Sequence, residues 1–313
     1  MIHINEYILI RGLEQYILIS GDEEKPLMLF LHGGPGTSQI GFIRKYQAKL
    51  EKDFLVVNWD QRGAGKSNIK KFSKDELTIE NIAKDAECLI EILLKRFNKK
   101  KIYLVGHSFG TIIGIRLTKK IPEYIEAFIS IGQVVDINRG DKIIYKFLTS
   151  ITKKENNKKI IKKLIKMGEP PYRNKLNIKN LEKIISKYKG DILKLSKIKF
   201  VFKSFSLEYY SVLDWGRFLV GMIRSKRFMD EELYSINLFQ EIKEVEVPIY
   251  FCVGDNDYET PANLIEEYYN FIKAPKKNIY KFKCSAHMPN IEEVDTFYKM
   301  CKSIVKYIES KES

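Results

Sequence analysis

The pentapeptide "GHSFG" at residues 106–110 places a single serine, Ser108, between two glycines. The apolar run "KIYLV" precedes it and the run "TIIGIRLTKK" follows it, which predicts a buried strand, a tight turn and a helix. Glycines in such a turn let the backbones approach closely, and the turn holds the serine hydroxyl at the end of a sheet. We therefore predict that Ser108 is a nucleophile, with an ordinary turn serine as the alternative.

A serine hydroxyl needs a base, which must itself be oriented by a third group. The chain has four histidines. His287, in "CSAHMPN", follows the last predicted strand and is our candidate for the base. His3 lies in the N-terminal strand region, and His32 is expected to pack or to fix a loop instead of acting as the base. His107 should point away from its neighbour Ser108.

Three aspartates between Ser108 and His287 are candidates for the orienting acid. Asp255 and Asp257 follow the apolar run "PIYFC", and Asp136 follows the run "AFISIG". Each comes after a predicted strand, where the third member of such a triad should lie. The residues themselves leave this choice open.

Acyl transfer also requires hydrogen-bond donors for the oxyanion. The residue after the nucleophile, Phe109, can provide one backbone N–H group. The loop "HGGPG" at residues 32–36 follows another predicted strand and can provide a second. Gly34 is the first candidate in that loop and Gly33 the next, with a plain Gly/Pro turn as the alternative.

Buried apolar runs alternate with helical periodicities along most of the chain, after an N-terminal hairpin. This alternation predicts an α/β fold, a mostly parallel, doubly wound sheet with helices on both faces. One of the predicted helices covers Ser38–Lys49. A Lys-rich segment of helical periodicity interrupts the pattern, so we predict a core domain of residues 1–135 and 241–313 and a helical cap domain of residues 136–240.

Composition argues against several other classes of protein. The 313 residues are 44 % hydrophobic and 30 % charged, as is typical of a soluble globular protein. The formal net charge is +14, but the lysines are spread along the chain and no nucleic-acid-binding motif is present. The N-terminus lacks the order of a signal peptide, and no apolar run approaches the roughly 20 residues of a membrane helix. We expect a cytoplasmic protein without nucleic-acid or membrane partners, and no oligomeric state is predicted.

Metal and nucleotide cofactors are not expected either. The four cysteines lie far apart and form no Cys-x-x-Cys pair, which argues against a zinc site or a disulfide framework. The segment "GAGKS" ends like a phosphate-binding loop, but Asp60 stands where that motif needs its first glycine.

Five motifs in a fixed order resemble those of the α/β-hydrolase fold and, within it, the proline iminopeptidase family (serine peptidase family S33). They are "HGGPG" at 32–36, "WDQRGAGKS" at 59–67, "GHSFG" at 106–110, "GDNDYETP" at 254–261 and "SAHMPNIEE" at 285–293. The resemblance implies a triad of Ser108, Asp257 and His287 and an inserted cap over the site. It favours Asp257 over Asp255 and Asp136 as the orienting acid. Asp255 is then expected to bond loop amides.

The resemblance further implies a serine hydrolase that forms an acyl-enzyme, an aminopeptidase that releases an N-terminal residue from small peptides. Members of the family hold the substrate's free amine with cap glutamates in tryptophan-rich surroundings. Glu208 and Asp214 are the candidates here for the amine, and Gly33 and Trp215 are further candidates for substrate contact. Solvated acids on a helix face are the alternative.

The family's usual elbow reads Gly-Gly-Ser-Trp-Gly, whereas this chain has His107 and Phe109. A second hypothesis is therefore a carboxylesterase, lactonase or amidase of the same fold acting on a small acyl substrate. Its acyl pocket would be lined by aromatic residues of the cap, and the candidates are Phe202, Phe205, Tyr209 and Tyr210. The alternative is that these side chains only pack in the core. A binding protein that has lost turnover is a third class, and Ser108 would not react with a phosphonate in that case.

Overall fold

The central feature of the computed structural model is an eight-stranded sheet with the strand order β1-β2-β4-β3-β5-β6-β7-β8. The structure describes residues 1–172, 174–194 and 207–312. β1 pairs antiparallel with β2, β2 pairs antiparallel with β4, and the remaining pairs are parallel. The strands are β1 (Ile2–Ile10), β2 (Leu13–Gly21), β3 (Leu27–Leu31), β4 (Leu55–Trp59), β5 (Ile102–His107), β6 (Ile125–Ile131), β7 (Ile249–Gly254) and β8 (Lys277–Phe282).

Helices cover both faces of this sheet, so its central strands are buried along their whole length. Every residue of β3 is buried: Leu27, Leu29 and Leu31 pack into one hydrophobic core, and Met28 and Phe30 pack into the other. A strand that is covered on both faces reads as a continuous apolar run, which explains why the sequence shows no alternation there.

The helices in the described residues fall into two groups. Those before β6 or after β7 are α1 (Arg44–Gln47), α2 (Ile79–Arg96), α3 (Phe109–Lys120), α9 (Ala262–Phe271), α10 (Pro289–Glu292) and α11 (Val294–Glu312). Those between β6 and β7 are α4 (Ile137–Lys154), α5 (Lys158–Met167), α6 (Lys175–Lys187), α7 (Val212–Ser235) and α8 (Leu238–Glu241). None of the helices in the described ranges is long and apolar enough to cross a bilayer.

The predicted helix at Ser38–Lys49 was wrong over most of its length, since only Arg44–Gln47 is α-helical there. Side chains at its start take part in other interactions. The Ser38 hydroxyl donates to Asp60 and the Gln39 amide contacts His107, so residues 38–39 are irregular and residues 40–43 form turns instead of a regular helix. Local and tertiary hydrogen bonds of polar side chains compete with helix formation in this way.

Helix α7 lies on the loops at the edge of the sheet that carries the predicted site. A Cβ at Gly221 in this helix would come within 2.3 Å of the Gly63 carbonyl oxygen, and a Cβ at Gly36 would lie 2.8 Å from the Cβ of Ser225. Small residues therefore let helix and loops approach closely. The division of the chain into a core and a cap domain stays a prediction.

Candidate active site

Ser108 occupies a sharp turn between the end of β5 and the start of α3. Its φ of 50° and ψ of −118° are unusual for a residue with a side chain. Its N–H group donates to the Ile131 carbonyl at 2.9 Å, and its own carbonyl accepts from the Thr111 N–H at 2.8 Å. Non-glycine residues at positive φ are strained and are found disproportionately at active sites.

The two glycines of the motif are required by close backbone contacts. A Cβ at Gly110 would lie 2.1 Å from the Leu31 carbonyl oxygen, and a Cβ at Gly106 would lie 2.7 Å from the Gly110 carbonyl oxygen. Helix α3 therefore lies directly against β3 and β5, which places the Ser108 turn at the carboxyl ends of the parallel strands. That edge is where open α/β sheets bind ligands.

We predict that Gly110→Ala lowers the free energy of unfolding by about 3 kcal/mol, because backbone atoms must move to admit the methyl group. Gly216→Ala is the matched control, since a Cβ there meets no atom within 4 Å on the exposed side of α7. We expect the control to gain about 0.5–1 kcal/mol from its better helix propensity. Urea denaturation of both variants measures the difference, and equal stabilities would contradict the close contact.

His287 and Asp257 form a buried pair at the same edge of the sheet. The His287 Nδ1 atom donates to Asp257 Oδ2 at 2.8 Å, and their side chains are 4 % and 0 % exposed. Asp257 Oδ1 also accepts the N–H groups of Glu259 and Thr260 at 2.8 and 2.9 Å. The expectation that Asp255 would bond these loop amides was wrong, because Asp257 accepts them and Asp255 is exposed.

The loop after β6 lies between the His287–Asp257 pair and the turn that carries Ser108. Gly132 follows Ile131, whose carbonyl accepts from Ser108, and a Cβ at Gly132 would lie 2.8 Å from His287 Cε1. The structure therefore brings Ser108, His287 and Asp257, from three separate parts of the sequence, to one site. Their catalytic roles stay predictions.

Nearby carboxylates add negative charge around the His287 ring, and those of Asp257 and Glu259 have the largest effects. Burial lowers the pKa of His287, but the nearby Asp257 and Glu259 carboxylates outweigh this effect and raise the pKa to about 9. The Nε2 atom of His287 is buried and has no hydrogen-bond partner within the described ranges; Glu259 Oε2 lies 3.6 Å from it. The sequence analysis did not select Glu259. Its only indication in the sequence is that it is an acidic residue two positions after Asp257.

His107 supports the loop that carries His287. Its Nε2 atom contacts the His287 carbonyl oxygen at 3.0 Å, so Nε2 donates, and its Nδ1 atom accepts from the Gln39 side-chain amide at 3.0 Å. Burial and the neighbouring His287 lower the pKa of His107 to about 3, which keeps it neutral. This residue departs from the usual family elbow, and here it connects the nucleophile turn to the predicted base.

His32 fixes the glycine loop, as expected from the sequence. Its Nδ1 atom donates to the Gly33 carbonyl at 2.8 Å, and its Nε2 atom accepts the Gln61 N–H at 3.2 Å. Burial lowers the pKa of His32 to about 4, so the imidazole is neutral.

The glycine loop lies against the serine turn. A Cβ at Gly33 would lie 3.2 Å from the Ser108 Cβ, and Gly34 has a φ of 127° with no room for a Cβ beside the Thr37 nitrogen. Phe109 is the first residue of α3, so its N–H group belongs to a helix N-terminus. The oxyanion roles predicted for Gly34 and Phe109 stay predictions.

The predicted cap acids have other partners. Asp214 forms a capping box with Ser211 at the start of α7 and pairs with Arg217 at 3.1 Å. Glu208 is exposed and contacts Arg44 at 3.4 Å and the Tyr209 hydroxyl at 2.6 Å.

The aromatic candidates and Asp136 also have structural contacts. Trp215 packs edge-on against Tyr210 and Phe218. Asp136 is the N-cap of α4 and accepts the Arg139 N–H at 2.9 Å. Phe202 and Phe205 lie outside the described residues.

A buried carboxylate joins the segment before α7 to the core, and sequence reasoning did not find it. Asp60 accepts hydrogen bonds from the hydroxyls of Ser38 and Tyr210 and from the Lys66 N–H at 2.8 Å. Burial raises the pKa of Asp60 to about 7, against the lowering effect of these donors. The aspartate of the "DQRG" motif thus holds the Tyr210 hydroxyl, which also contacts the Ser38 hydroxyl at 2.7 Å.

Comparison with known proteins identifies the family. The family model described as the alpha/beta hydrolase fold matches residues 26–294. The chain belongs to the α/β-hydrolase family. The family match confirms the predicted α/β-hydrolase fold. It also shows that the chain is a hydrolase.

Comparison with individual proteins shows which members of this family the chain is similar to. The chain is 34 % identical over 301 residues to the "Probable aminopeptidase YbaC" of Bacillus subtilis (strain 168), covering 95 % of this chain and 94 % of that protein. It is 22 % identical to the proline iminopeptidase of Thermoplasma volcanium, with 97 % and 96 % covered. These relatives confirm the predicted resemblance to the proline iminopeptidases.

A solved structure supports the same fold. The proline iminopeptidase-related protein TTHA1809 from Thermus thermophilus superposes with a TM-score of 0.68, covering 98 % of this chain and 99 % of that one. At 16 % sequence identity, this likeness shows the α/β-hydrolase fold alone.

Proposed function

We propose that this α/β-hydrolase is a serine aminopeptidase of proline iminopeptidase type, which releases the N-terminal residue from short peptides. The observation that carries the proposal is the likeness along 95 % of the chain to a protein named as a probable aminopeptidase. The buried Asp257–His287 pair next to the strained Ser108 turn supports the serine chemistry.

In the proposed reaction, Ser108 Oγ attacks the carbonyl carbon of the first residue. His287 Nε2 takes the hydroxyl proton, and Asp257 stabilises the imidazolium through Nδ1–H. The N–H groups of Phe109 and Gly34 would hold the developing oxyanion. The Nε2 atom is buried and has no hydrogen-bond partner in the part of the chain that the structure describes, and it is the atom that such a proton transfer needs.

The acyl-enzyme then forms as the C–N bond breaks. His287 returns its proton to the leaving amine, and afterwards takes a proton from the water that attacks the acyl-enzyme. The bond between the acyl carbon and Ser108 Oγ then breaks and His287 gives this proton to Oγ, which releases the free N-terminal residue and restores the Ser108 hydroxyl. The chemistry requires no metal or organic cofactor.

We expect arylamides with a free α-amine to be hydrolysed at least about tenfold faster, in kcat/KM, than their N-acetylated counterparts. The panel pairs prolyl, alanyl and leucyl arylamides, free and blocked, with short and medium acyl esters. Release of the arylamine, followed by absorbance, measures each rate.

The same panel separates the two enzyme hypotheses. Turnover of esters without turnover of any free-amine arylamide would contradict the aminopeptidase and support the esterase, lactonase or amidase. Preference for the prolyl arylamide within the free-amine set would support the proline iminopeptidase type.

A further inference from the structure

We propose that Glu292 is a positioning residue for the predicted base, because it joins the His287 loop to a segment of the chain between β6 and β7. Its Oε2 atom accepts the N–H group of Ala286, the residue before His287, at 2.8 Å. Its Oε1 atom accepts the N–H groups of Leu193 and Lys194 at 2.7 and 2.9 Å. One half-buried carboxylate thus holds together two backbone segments that are distant in the sequence.

Residues 190–194, here called the bridging segment, follow α6 and bond to both loops of the buried pair. The Gly190 carbonyl accepts the Tyr258 N–H at 3.0 Å, in the loop that carries the predicted acid. The Asp191 carbonyl accepts the N–H group of His287 itself at 3.2 Å. A segment from the predicted cap therefore contacts the backbone of the predicted base and the loop of the predicted acid.

Close packing fixes the bridging segment in this position. A Cβ at Gly190 would overlap the Cβ of Tyr258, so the segment and the acid loop leave no room for a methyl group. At the other end, Ile192 is buried in one apolar cluster with Ile291, the residue before Glu292. The apolar cluster and the Glu292 carboxylate thus hold the same two segments together.

The position of the His287 loop matters because its Nε2 atom must come within hydrogen-bond distance of the serine oxygen. A displacement of about 1 Å from such geometry can cost about 100-fold in rate. Ala286 is fully buried, and its N–H group loses its acceptor if the Glu292 carboxylate is removed. Since a buried N–H group without an acceptor is unfavourable, we expect the loop to shift until this group is solvated or bonded elsewhere.

This arrangement extends the proposed function, on which it rests for the role of His287 as the base. A cap that only covers the substrate would affect binding and specificity. A segment bonded to the loops of the base and the acid also affects the chemical step, with every substrate. We therefore expect the contribution of Glu292 to be independent of whether the substrate has a free amine.

The first test compares wild type with Glu292→Gln, Glu292→Asp and the matched control Glu309→Gln, at an exposed position of α11. In Glu292→Gln the amide oxygen is needed by two N–H groups, so its NH₂ group faces the Ala286 N–H and cannot accept from it. Glu292→Asp keeps the charge, but its side chain is one methylene shorter and cannot reach both segments.

We expect both Glu292 variants to lose roughly 10- to 100-fold in kcat, with KM within about twofold of wild type. The loss should be equal for the best arylamide and the best acyl ester of the panel, and Glu309→Gln should match the wild type. Rates are divided by the concentration of serine labelled by a fluorophosphonate. A merely structural role would lower the labelled fraction and leave the rate for each labelled serine unchanged.

Gly190→Ala tests the same contact from the bridging segment, without any change of charge. The added methyl group must displace the segment from Tyr258, and we expect a loss in kcat of the same size as in the Glu292 variants. Gly216→Ala is its matched control between β6 and β7, because a Cβ there meets no atom within 4 Å. Circular dichroism of each variant checks that it is folded.

A measurement on the resting protein keeps the test independent of turnover. The His287 Nδ1 proton that is bonded to Asp257 is followed as a low-field resonance by proton nuclear magnetic resonance. We expect it to shift and to exchange faster with water in both Glu292 variants and in Gly190→Ala, and to stay unchanged in the two controls.

The possible results separate this proposal from the proposed function. Wild-type kcat and an unchanged Nδ1 proton in the Glu292 variants would overturn the positioning role, as would wild-type kcat in Glu292→Asp alone, since the charge would then be sufficient. A raised KM with unchanged kcat would also overturn it. If wild type cleaves only esters, the aminopeptidase fails and Glu292 is judged on the ester. If no substrate is turned over, the Nδ1 resonance decides.

Discussion

Ser108→Ala is expected to reduce kcat/KM by roughly 10⁴-fold or more on every substrate that the wild type hydrolyses. The reason is that an acyl-enzyme cannot form without the hydroxyl, and the remaining groups can only bind and polarise the carbonyl. Hydrolysis of the best arylamide or ester of the panel measures the loss. The substitution removes one oxygen from a turn whose backbone hydrogen bonds are all retained, so the fold should be preserved.

Covalent labelling with a fluorophosphonate is a second test of Ser108 as the nucleophile. The Ser108 oxygen bonds to phosphorus, fluoride leaves, and the hydroxyl proton passes to His287. Mass spectrometry should find one added phosphonyl group on wild type and on the surface control Ser310→Ala, and none on Ser108→Ala. Labelling of Ser108→Ala to the same extent would contradict the assignment of the nucleophile, and an unreactive wild type would favour a binding protein that has lost turnover.

The parts of the fold that follow from local pattern could be predicted from the sequence. The run Leu27–Leu31 is buried on both faces, so its continuous apolar character indicated a central strand. Gly106 and Gly110 are fixed by backbone contacts on both sides of the serine turn, which is why the motif and its surroundings predicted the same turn. Near Ser38, in contrast, helical periodicity was overridden by hydrogen bonds to Asp60 and His107, which are distant in sequence.

The candidate site also contains residues that local sequence patterns predict and residues that only distant contacts reveal. Ser108 and His287 could be selected because each follows a strand and belongs to a motif. Glu259 could not, since its significance depends on a 3.6 Å approach to a ring 28 positions later in the chain, which no periodicity reports. The Asp60–Tyr210 contact was equally invisible, because it joins two loops 150 residues apart.

Asp257→Asn should lower kcat by roughly 10⁴-fold near neutral pH while the protein stays folded. The geometry of the loop explains why such a small change is expected to have this effect. Asp257 Oδ1 accepts two backbone N–H groups, so the oxygen of the asparagine amide must keep that position. Its NH₂ group then takes the position of Oδ2 and faces His287 Nδ1. A donor at that position forces Nδ1 to accept, which moves the imidazole proton to Nε2, and a protonated Nε2 cannot take the proton of Ser108.

Asp255→Asn is the matched control, because it makes the same chemical change two residues away in the same loop at an exposed position. We expect it to keep the activity of the wild type within about twofold. Thermal unfolding of both variants checks the fold, and the rates at several pH values check the mechanism. Loss of one carboxylate beside the ring also lowers the pKa of His287, so the residual activity of Asp257→Asn should persist to lower pH than that of wild type. A large loss of activity in Asp255→Asn, with Asp257→Asn close to wild type, would reassign the orienting acid to Asp255 and leave the buried pair with a purely structural role.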